Sequence, residues 1–298
     1  MARNHYWRIR DSPNGSYPVQ RGFDKSYGCL HGVGIYHKPS PVYNNLEKVT
    51  DLPDYYYTQA ITDSAVSYVQ AHDTRKPMFL YVAHYAPHLP LQAPAEYVKR
   101  CIDRYKVGYD VLRKQRFEKQ KRIGLIPDNM ELPVFNKEFG GKRPAWEELT
   151  PEQQNKWIKD MATYAAMIEI MDEGIGKLVE EIKKKGMYEN TVFLFLSDNG
   201  ATSEGGFIGQ LMSDLSNTPY RSYKKWVFQG GTSTPFILTY GDKKKNIKKG
   251  EICRQPAHII DIMPTCMALG KIEYPKTFSH SDLPGTSLLP FLKGQPIK

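Results

Sequence analysis

At 298 residues, 40% hydrophobic and 24% charged, the chain carries enough apolar material for a large core and is too balanced for intrinsic disorder. Its formal net charge of +9 admits an anionic substrate, but part of the excess sits in runs such as Lys183 to Lys185 and Lys243 to Lys249, which read as solvated surface. No basic stripe interleaved with aromatics, no zinc-finger spacing and no apolar run of about 18 residues is present, so neither nucleic acid nor a membrane span is expected.

Taken in order, residues 1–54 are rich in Gly, Pro, Tyr and Asn with little periodicity and read as a loop-rich connection. Tyr55 to Gln70 places Ala60, Ile61, Ala65, Tyr68 and Val69 near helical spacing, and Lys76-Pro77 then leads into a predicted strand, Met78 to Ala83. Residues 95–150 are polar, basic and aromatic and read as an excursion with helical pieces around Arg113 to Arg122. Glu152 to Lys185 is the longest helical pattern, with Met161, Ala165, Ile168, Met171, Ile175, Leu178 and Ile182 on its expected apolar face and Gly186 as its stop.

Thr191 to Leu196 is an apolar run that reads as a strand buried on both faces, and Ser197, Asp198, Asn199 and Gly200 end it. A glycine- and serine-rich loop follows to Ser216. Gly230-Gly231 precede a strand from Pro235 to Tyr240, Pro256 to Leu269 reads as a helix, and Leu288 to Leu292 is a last short apolar stretch. No repeat is visible, and a single domain over residues 1–298 is the expectation. Cys29, Cys101, Cys253 and Cys266 form no Cys-x-x-Cys pair, which argues against a structural zinc site. The first residues lack the apolar core of a signal peptide.

The candidate chemistry gathers at a few places. Asp198 and Asn199 present hard oxygen atoms side by side at the end of a strand, as Mg²⁺ or Ca²⁺ requires, although Asn-Gly after a strand also makes an ordinary turn. His88, between Pro87 and Pro90, is either an acid–base residue or a turn residue, while His84 reads as structural because Pro87 forbids a helical metal pair. Lys224 and Lys225 are either anion donors or a solvated pair. His258 and Asp261 are expected to satisfy each other or solvent.

Several stretches together resemble the sulfatases, above all the arylsulfatase-like members of the alkaline-phosphatase-like superfamily. They are Phe79 to Pro94 (FLYVAHYAPHLPLQAP), Leu196 to Ala201 (LSDNGA), Lys224 to Pro235 (KKWVFQGGTSTP) and His258 to Thr265 (HIIDIMPT), with Gln20 to Gly28 (QRGFDKSYG) and Gly285 to Pro290 (GTSLLP) in the same order. The resemblance implies an α/β fold with a mainly parallel central sheet flanked by helices. It also implies hydrolysis of sulfuric esters by a formylglycine nucleophile and a divalent cation, Ca²⁺ or alternatively Mg²⁺. By this similarity Asp198 and Asn199 are metal ligands, Lys224 is a sulfate-oxygen donor, and His88 contacts the ester and protonates the leaving oxygen. A sulfated small molecule or sulfated glycan is the implied partner, and a periplasmic or secreted location is suggested by the family alone.

The sequence departs from the pattern in places. No Cys/Ser-x-Pro/Ala-x-Arg nucleophile motif occurs; Ser16 (SYPVQR) comes nearest, but its arginine is one residue late. The paired aspartates of the family's first strand are not found, His5 is at best a remnant of a Gly-Lys-Trp-His segment, and Gln229 stands where a glutamate is usual. The expectation is therefore a partial sulfatase domain, incomplete at both ends. The alternatives are a phosphate or phosphonate ester hydrolase of the same superfamily, or an inactive chain that binds a sulfated ligand.

Overall fold

A computed structural model describes residues 15–30, 35–38, 41–50, 54–133, 143–241, 250–275, 283–292 and 295. His5, the lysines from 243 to 249, and Gly140-Gly141 lie outside the described residues.

One helix, Pro151–Lys184, runs through the fold. Its start is fixed locally: the Thr150 hydroxyl accepts a hydrogen bond from the Gln153 N–H at 3.2 Å, the Gln153 side chain accepts from the Thr150 N–H at 3.0 Å, and Pro151 occupies the first turn, where a missing N–H costs nothing. The helices Tyr57–Gln70 and Ala95–Tyr105 pack against it on different sides. Its buried stripe is accordingly broad, running through Trp157, Met161, Ala162, Ala166, Met167, Ile170, Met171 and Gly174. Three members of the expected face, Met161, Met171 and Ile182, are buried, but Ile168 is 36% exposed. Gly174 lets the Tyr57 helix come close, since a Cβ there would lie 2.3 Å from Oγ1 of Thr62. The tyrosine- and tryptophan-rich residues of 95–150 enter the same core: Tyr109 and Trp157 meet edge-on at 5.6 Å, as do Trp146 and Trp157 at 5.3 Å.

The sheets differ from the expectation. Strands β1 (Tyr27–Cys29), β2 (Val42–Asn44) and β3 (Glu47–Val49) form an antiparallel three-stranded sheet within the region read as loop; each strand is too short to print a period-2 pattern. Strand β4 (Val192–Leu196) pairs antiparallel with β5 (Phe236–Tyr240), from Val192 opposite Tyr240 to Leu196 opposite Phe236. Met78 to Ala83 forms neither helix nor strand. The fold is therefore α/β with two small antiparallel sheets, and the expected single, mainly parallel central sheet is not present among the described residues. The reason is physical. An apolar run reports burial and says nothing about the direction of the strand beside it. Burial is itself partial here: no residue of β4 is fully buried, Phe195 is exposed, and in β5 only Tyr240 is buried. Phe79 and Tyr81, at 66% and 72% exposure, stand in solvent.

The expected helix from Pro256 begins later, as a 3₁₀ turn over Ile259–Asp261 that continues into Ile262–Gly270. The His258 and Asp261 side chains are each taken up by backbone groups: the His258 and Thr286 N–H groups donate to Oδ2 and Oδ1 of Asp261 at 2.7 and 2.8 Å, and the Ile260 N–H donates to Nδ1 of His258 at 3.3 Å. All four cysteines are free thiols. Among the described residues no helix is long and apolar enough to cross a membrane.

Candidate functional site

Three backbone segments converge where β4 ends. The Ser197 N–H donates to Pro235 O at 3.2 Å, the Gly200 N–H to Gly231 O at 3.0 Å, and the Lys224 N–H to Ala201 O at 3.0 Å. Glycine is what lets them close. A Cβ on Gly200 would lie 1.7 Å from Gly230 O, one on Gly230 would lie 1.9 Å from Ser222 O, and one on Gly231 would lie 2.1 Å from Trp226 O. The double glycine is thus a contact surface between main chains, and it draws the Asp198-Asn199 turn and the Lys224 loop together.

That loop sorts the two lysines. Lys225, at φ +80°, reaches out to Glu204 at 3.7 Å and is exposed, whereas Lys224 is half-buried with its Nζ 3.3 Å from Nε2 of His88. On the other side, His88 is held in a defined ring orientation. Its Nδ1 is 2.8 Å from its neighbour's carbonyl, Leu89 O, which can only accept, so Nδ1 is assigned a hydrogen and Nε2 is the ring atom that faces the Lys224 ammonium. The His88 N–H donates to Tyr85 O at 3.0 Å, and the Tyr85 ring lies 5.6 Å from the imidazole.

Tyr36 completes the support, and sequence reasoning missed it. Fully buried, it donates its hydroxyl to His88 O at 2.8 Å, while its own N–H donates to Oε1 of Gln92 at 2.9 Å. Tyr56 donates to Gln92 O at 2.9 Å and packs on Tyr36 with ring centroids 5.7 Å apart. Burial raises the phenol pKa of Tyr36 and pushes those of Tyr56 and Tyr57 up to about 12; the Tyr57 hydroxyl accepts from the Cys29 N–H at 2.6 Å. The only signal in the sequence was the density of tyrosine from 55 to 57; nothing local pairs Tyr36 with a histidine 52 residues away.

His84 is separate from this arrangement. Its Nδ1 is buried without a hydrogen-bond partner, and burial lowers its pKa to about 4, which keeps the ring neutral. Behind the Lys224 loop, Tyr223 donates its hydroxyl to Asp214 in a short buried bond. Burial raises Asp214 to about 6 against the opposing effects of the Tyr223 bond and of Arg143 and Arg113.

Asp198 and Asn199 occupy the bend after β4, Asp198 exposed and Asn199 half-buried, with Asn199 O accepting the Ser197 hydroxyl at 2.9 Å. Their link to Lys224 runs through the Ala201 peptide. Among the described residues no three His, Cys, Asp or Glu side chains stand together to hold a metal ion. Asp198 and Asn199 supply at most three side-chain oxygens, where Ca²⁺ takes about six to eight, so these two residues do not by themselves make up a complete cation site. Ser16 is exposed on the approach to a 3₁₀ turn at Pro18–Gln20.

The sulfatase family model matches residues 4–272. An arylsulfatase of Klebsiella aerogenes is 30% identical over 312 aligned positions, which take in 92% of this chain and 65% of that protein. An uncharacterized sulfatase of Schizosaccharomyces pombe (strain 972 / ATCC 24843) is 29% identical, with 90% of this chain and 55% of that protein aligned. The crystal structure of Ps i-CgsB in complex with k-i-k-neocarrahexaose superposes with a TM-score of 0.64 at 25% identity, over 95% of this chain and 53% of that one. The chain thus spans between about half and two-thirds of the length of these three proteins. With the family model covering most of its length, the chain belongs to the sulfatase family.

Proposed function

We propose that the protein binds sulfate esters, of a sulfated small molecule or a sulfated glycan, with His88 and Lys224 at the ester, and that cleavage needs a nucleophile these 298 residues do not carry as Cys/Ser-x-Pro/Ala-x-Arg. The observation that carries this reading is the 3.3 Å approach of Lys224 Nζ to His88 Nε2, a cation and a titratable ring nitrogen at one point on a half-buried surface. Family membership supports it, as does the k-i-k-neocarrahexaose held by Ps i-CgsB.

The chemistry follows from the two groups. Hydrolysis of a sulfate ester moves charge onto the sulfate and leaving-group oxygens, so a fixed ammonium at those oxygens favours the transition state over the ground state. Lys224 fills that role, its backbone held by Ala201 so that little reorganisation is needed. With Nδ1–H committed to Leu89 O, Nε2 is the ring atom left to face the departing ester oxygen, and it would pass a proton to that oxygen only with the Lys224 ammonium turned to the sulfate. Asp198 and Asn199 are assigned as donors of some of the oxygens a divalent cation would need, the remainder lying beyond the described donor set.

Calorimetric titration of the full chain with 4-nitrophenyl sulfate and with 4-nitrophenyl phosphate tests the reading. The expected result is binding of the sulfate ester that weakens about tenfold in both Lys224→Ala and His88→Gln, the scale of a charge-assisted hydrogen bond. Tighter binding of the phosphate ester, or sulfate-ester binding indifferent to both substitutions, overturns it.

A further inference from the structure

The helix Gly206–Ser216 ends at Asn217, whose backbone is already spoken for: its N–H donates to Ser213 O at 2.8 Å and its carbonyl accepts from the Tyr220 N–H at 2.7 Å. The side chain does something else. Oδ1 accepts from the Ala201 N–H at 3.1 Å, and Nδ2 donates to Ser222 O at 2.9 Å. Both neighbours are backbone groups with a fixed polarity, so the carboxamide orientation is unambiguous; the flipped amide would face donor with donor and acceptor with acceptor.

Ala201 is three residues past Asp198, and Ser222 is two before Lys224. The Ala201 peptide is gripped at both ends, by Asn217 at its nitrogen and by the Lys224 N–H at its oxygen. Ser222 is buried and held at φ +64°, a left-handed conformation that costs a non-glycine residue free energy and persists only where its surroundings enforce it. Its carbonyl sits between the Asn217 amide and Gly230, whose Cα has no room for a Cβ because that same carbonyl would be 1.9 Å away.

We propose that Asn217 is a positioning residue that sets the placement of Lys224 against the Asp198-Asn199 turn and hence against His88. The proposal rests on the reading of Lys224 and His88 as the ester-binding pair, and goes beyond it by naming the side chain that holds the pair's geometry. Asn217 acts through two loops and touches no substrate. An alanine there leaves the Ala201 N–H and the Ser222 carbonyl to water, and frees the left-handed turn before Lys224 to relax.

The test is the ring-nitrogen NMR spectrum of the full chain labelled with ¹⁵N-histidine, with the His88 Nε2 signal assigned through His88→Gln. Lys224→Ala moves this signal as the ammonium departs. Asn217→Ala is expected to move it in the same direction, and the double variant to match Lys224→Ala alone, since a residue that acts only through Lys224 has nothing left to move. Should Asn217→Ala fail to fold, Asn217→Asp keeps the acceptor for Ala201 and loses the donor to Ser222, and the same displacement is expected from it. A signal left at its wild-type position by the Asn217 variants, or displacements that simply add in the double variant, overturns the proposal; so does a signal that Lys224→Ala leaves in place, which means the pair is not formed in solution. Affinity for inorganic sulfate, measured in parallel, separates the two levels: about a fivefold loss in Asn217→Ala, one hydrogen bond's worth, is expected. If Lys224→Ala leaves sulfate affinity unchanged while the His88 signal behaves as described, the positional role stands and the ester-binding reading falls.

Discussion

Lys224 Nζ and His88 Nε2 lie 3.3 Å apart although 136 residues separate them in the chain, whereas Lys225, the next residue, points to Glu204 at 3.7 Å. The positive φ of Lys225 turns consecutive side chains to opposite sides of one loop, so two adjacent lysines have different electrostatic jobs.

This difference gives a direct comparison. Lys224→Ala should weaken binding of inorganic sulfate about tenfold, while Lys225→Ala, which removes only an exposed ion pair, should change it by less than about twofold. Isothermal titration at fixed ionic strength decides it, and equal losses in the two variants would count against the assignment of Lys224.

The donor count limits cation affinity. With Asp198 and Asn199 as its only assigned side-chain oxygens, the chain should bind Ca²⁺ no more tightly than about 1 mM. Since Cys/Ser-x-Pro/Ala-x-Arg is absent from the 298 residues, turnover of an aryl sulfate should be slight. Tight stoichiometric Ca²⁺ binding would show that other oxygens contribute, and robust turnover abolished by Ser16→Ala would make Ser16 the nucleophile after all.

Glycine packing predicts opposite signs at two positions. Gly200→Ala drives a methyl into Gly230 O at 1.7 Å, backbone against backbone, and should cost about 3 kcal/mol or more. Gly176→Ala, on an exposed turn of the long helix with nothing within 4 Å, should stabilise by about 1 kcal/mol. Urea unfolding of the two variants measures both.

Two buried groups pull the pH dependence of stability in opposite directions. His84, lowered by burial from 6.5 to about 4, contributes stability that is present above pH 6.5 and is lost as pH falls toward about 4. Asp214, raised by burial from 3.8 to about 6, contributes stability that is present below pH 3.8 and is lost as pH rises through about 6. Each is worth about 3 kcal/mol, so they largely cancel in the wild type between these limits. In His84→Asn stability should fall as pH rises from about 4 to about 7, and in Asp214→Asn it should rise over the same interval. Unfolding free energies across that range would refute the assignment if both variants tracked the wild type.

Phe79, Tyr81 and Ile237 are more than half exposed, on an unpaired segment and on a strand of a two-stranded sheet. The chain should therefore bind an apolar fluorescent dye and self-associate with rising concentration. Replacing Phe79 and Tyr81 together by lysine should reduce both effects without lowering the melting temperature; unchanged dye binding would place the responsible surface elsewhere.

Much of the helical framework was legible locally. The Thr150–Gln153 cap and the apolar spacing after it define the long helix within a residue of its expected limits, because the hydrogen bonds and side-chain contacts that make a helix lie three or four residues apart. The face it buries was legible only in part: Ile168 fits the period and is exposed, since two helices from distant sequence decide which side is covered.

The sequence alone determined the family motifs, the turn after β4, the glycines at 200, 230 and 231, and the chemical candidates Asp198, Asn199, His88 and Lys224. Only the tertiary structure decided that β4 pairs antiparallel with β5, that Lys224 rather than Lys225 meets His88, that Tyr36 holds His88 and that Asn217 joins two loops. The division has one cause. Residue type and short spacing encode what a side chain can do, while strand direction, ring orientation and the closure of glycine against glycine depend on backbone atoms brought together from distant parts of the chain, which no local pattern records.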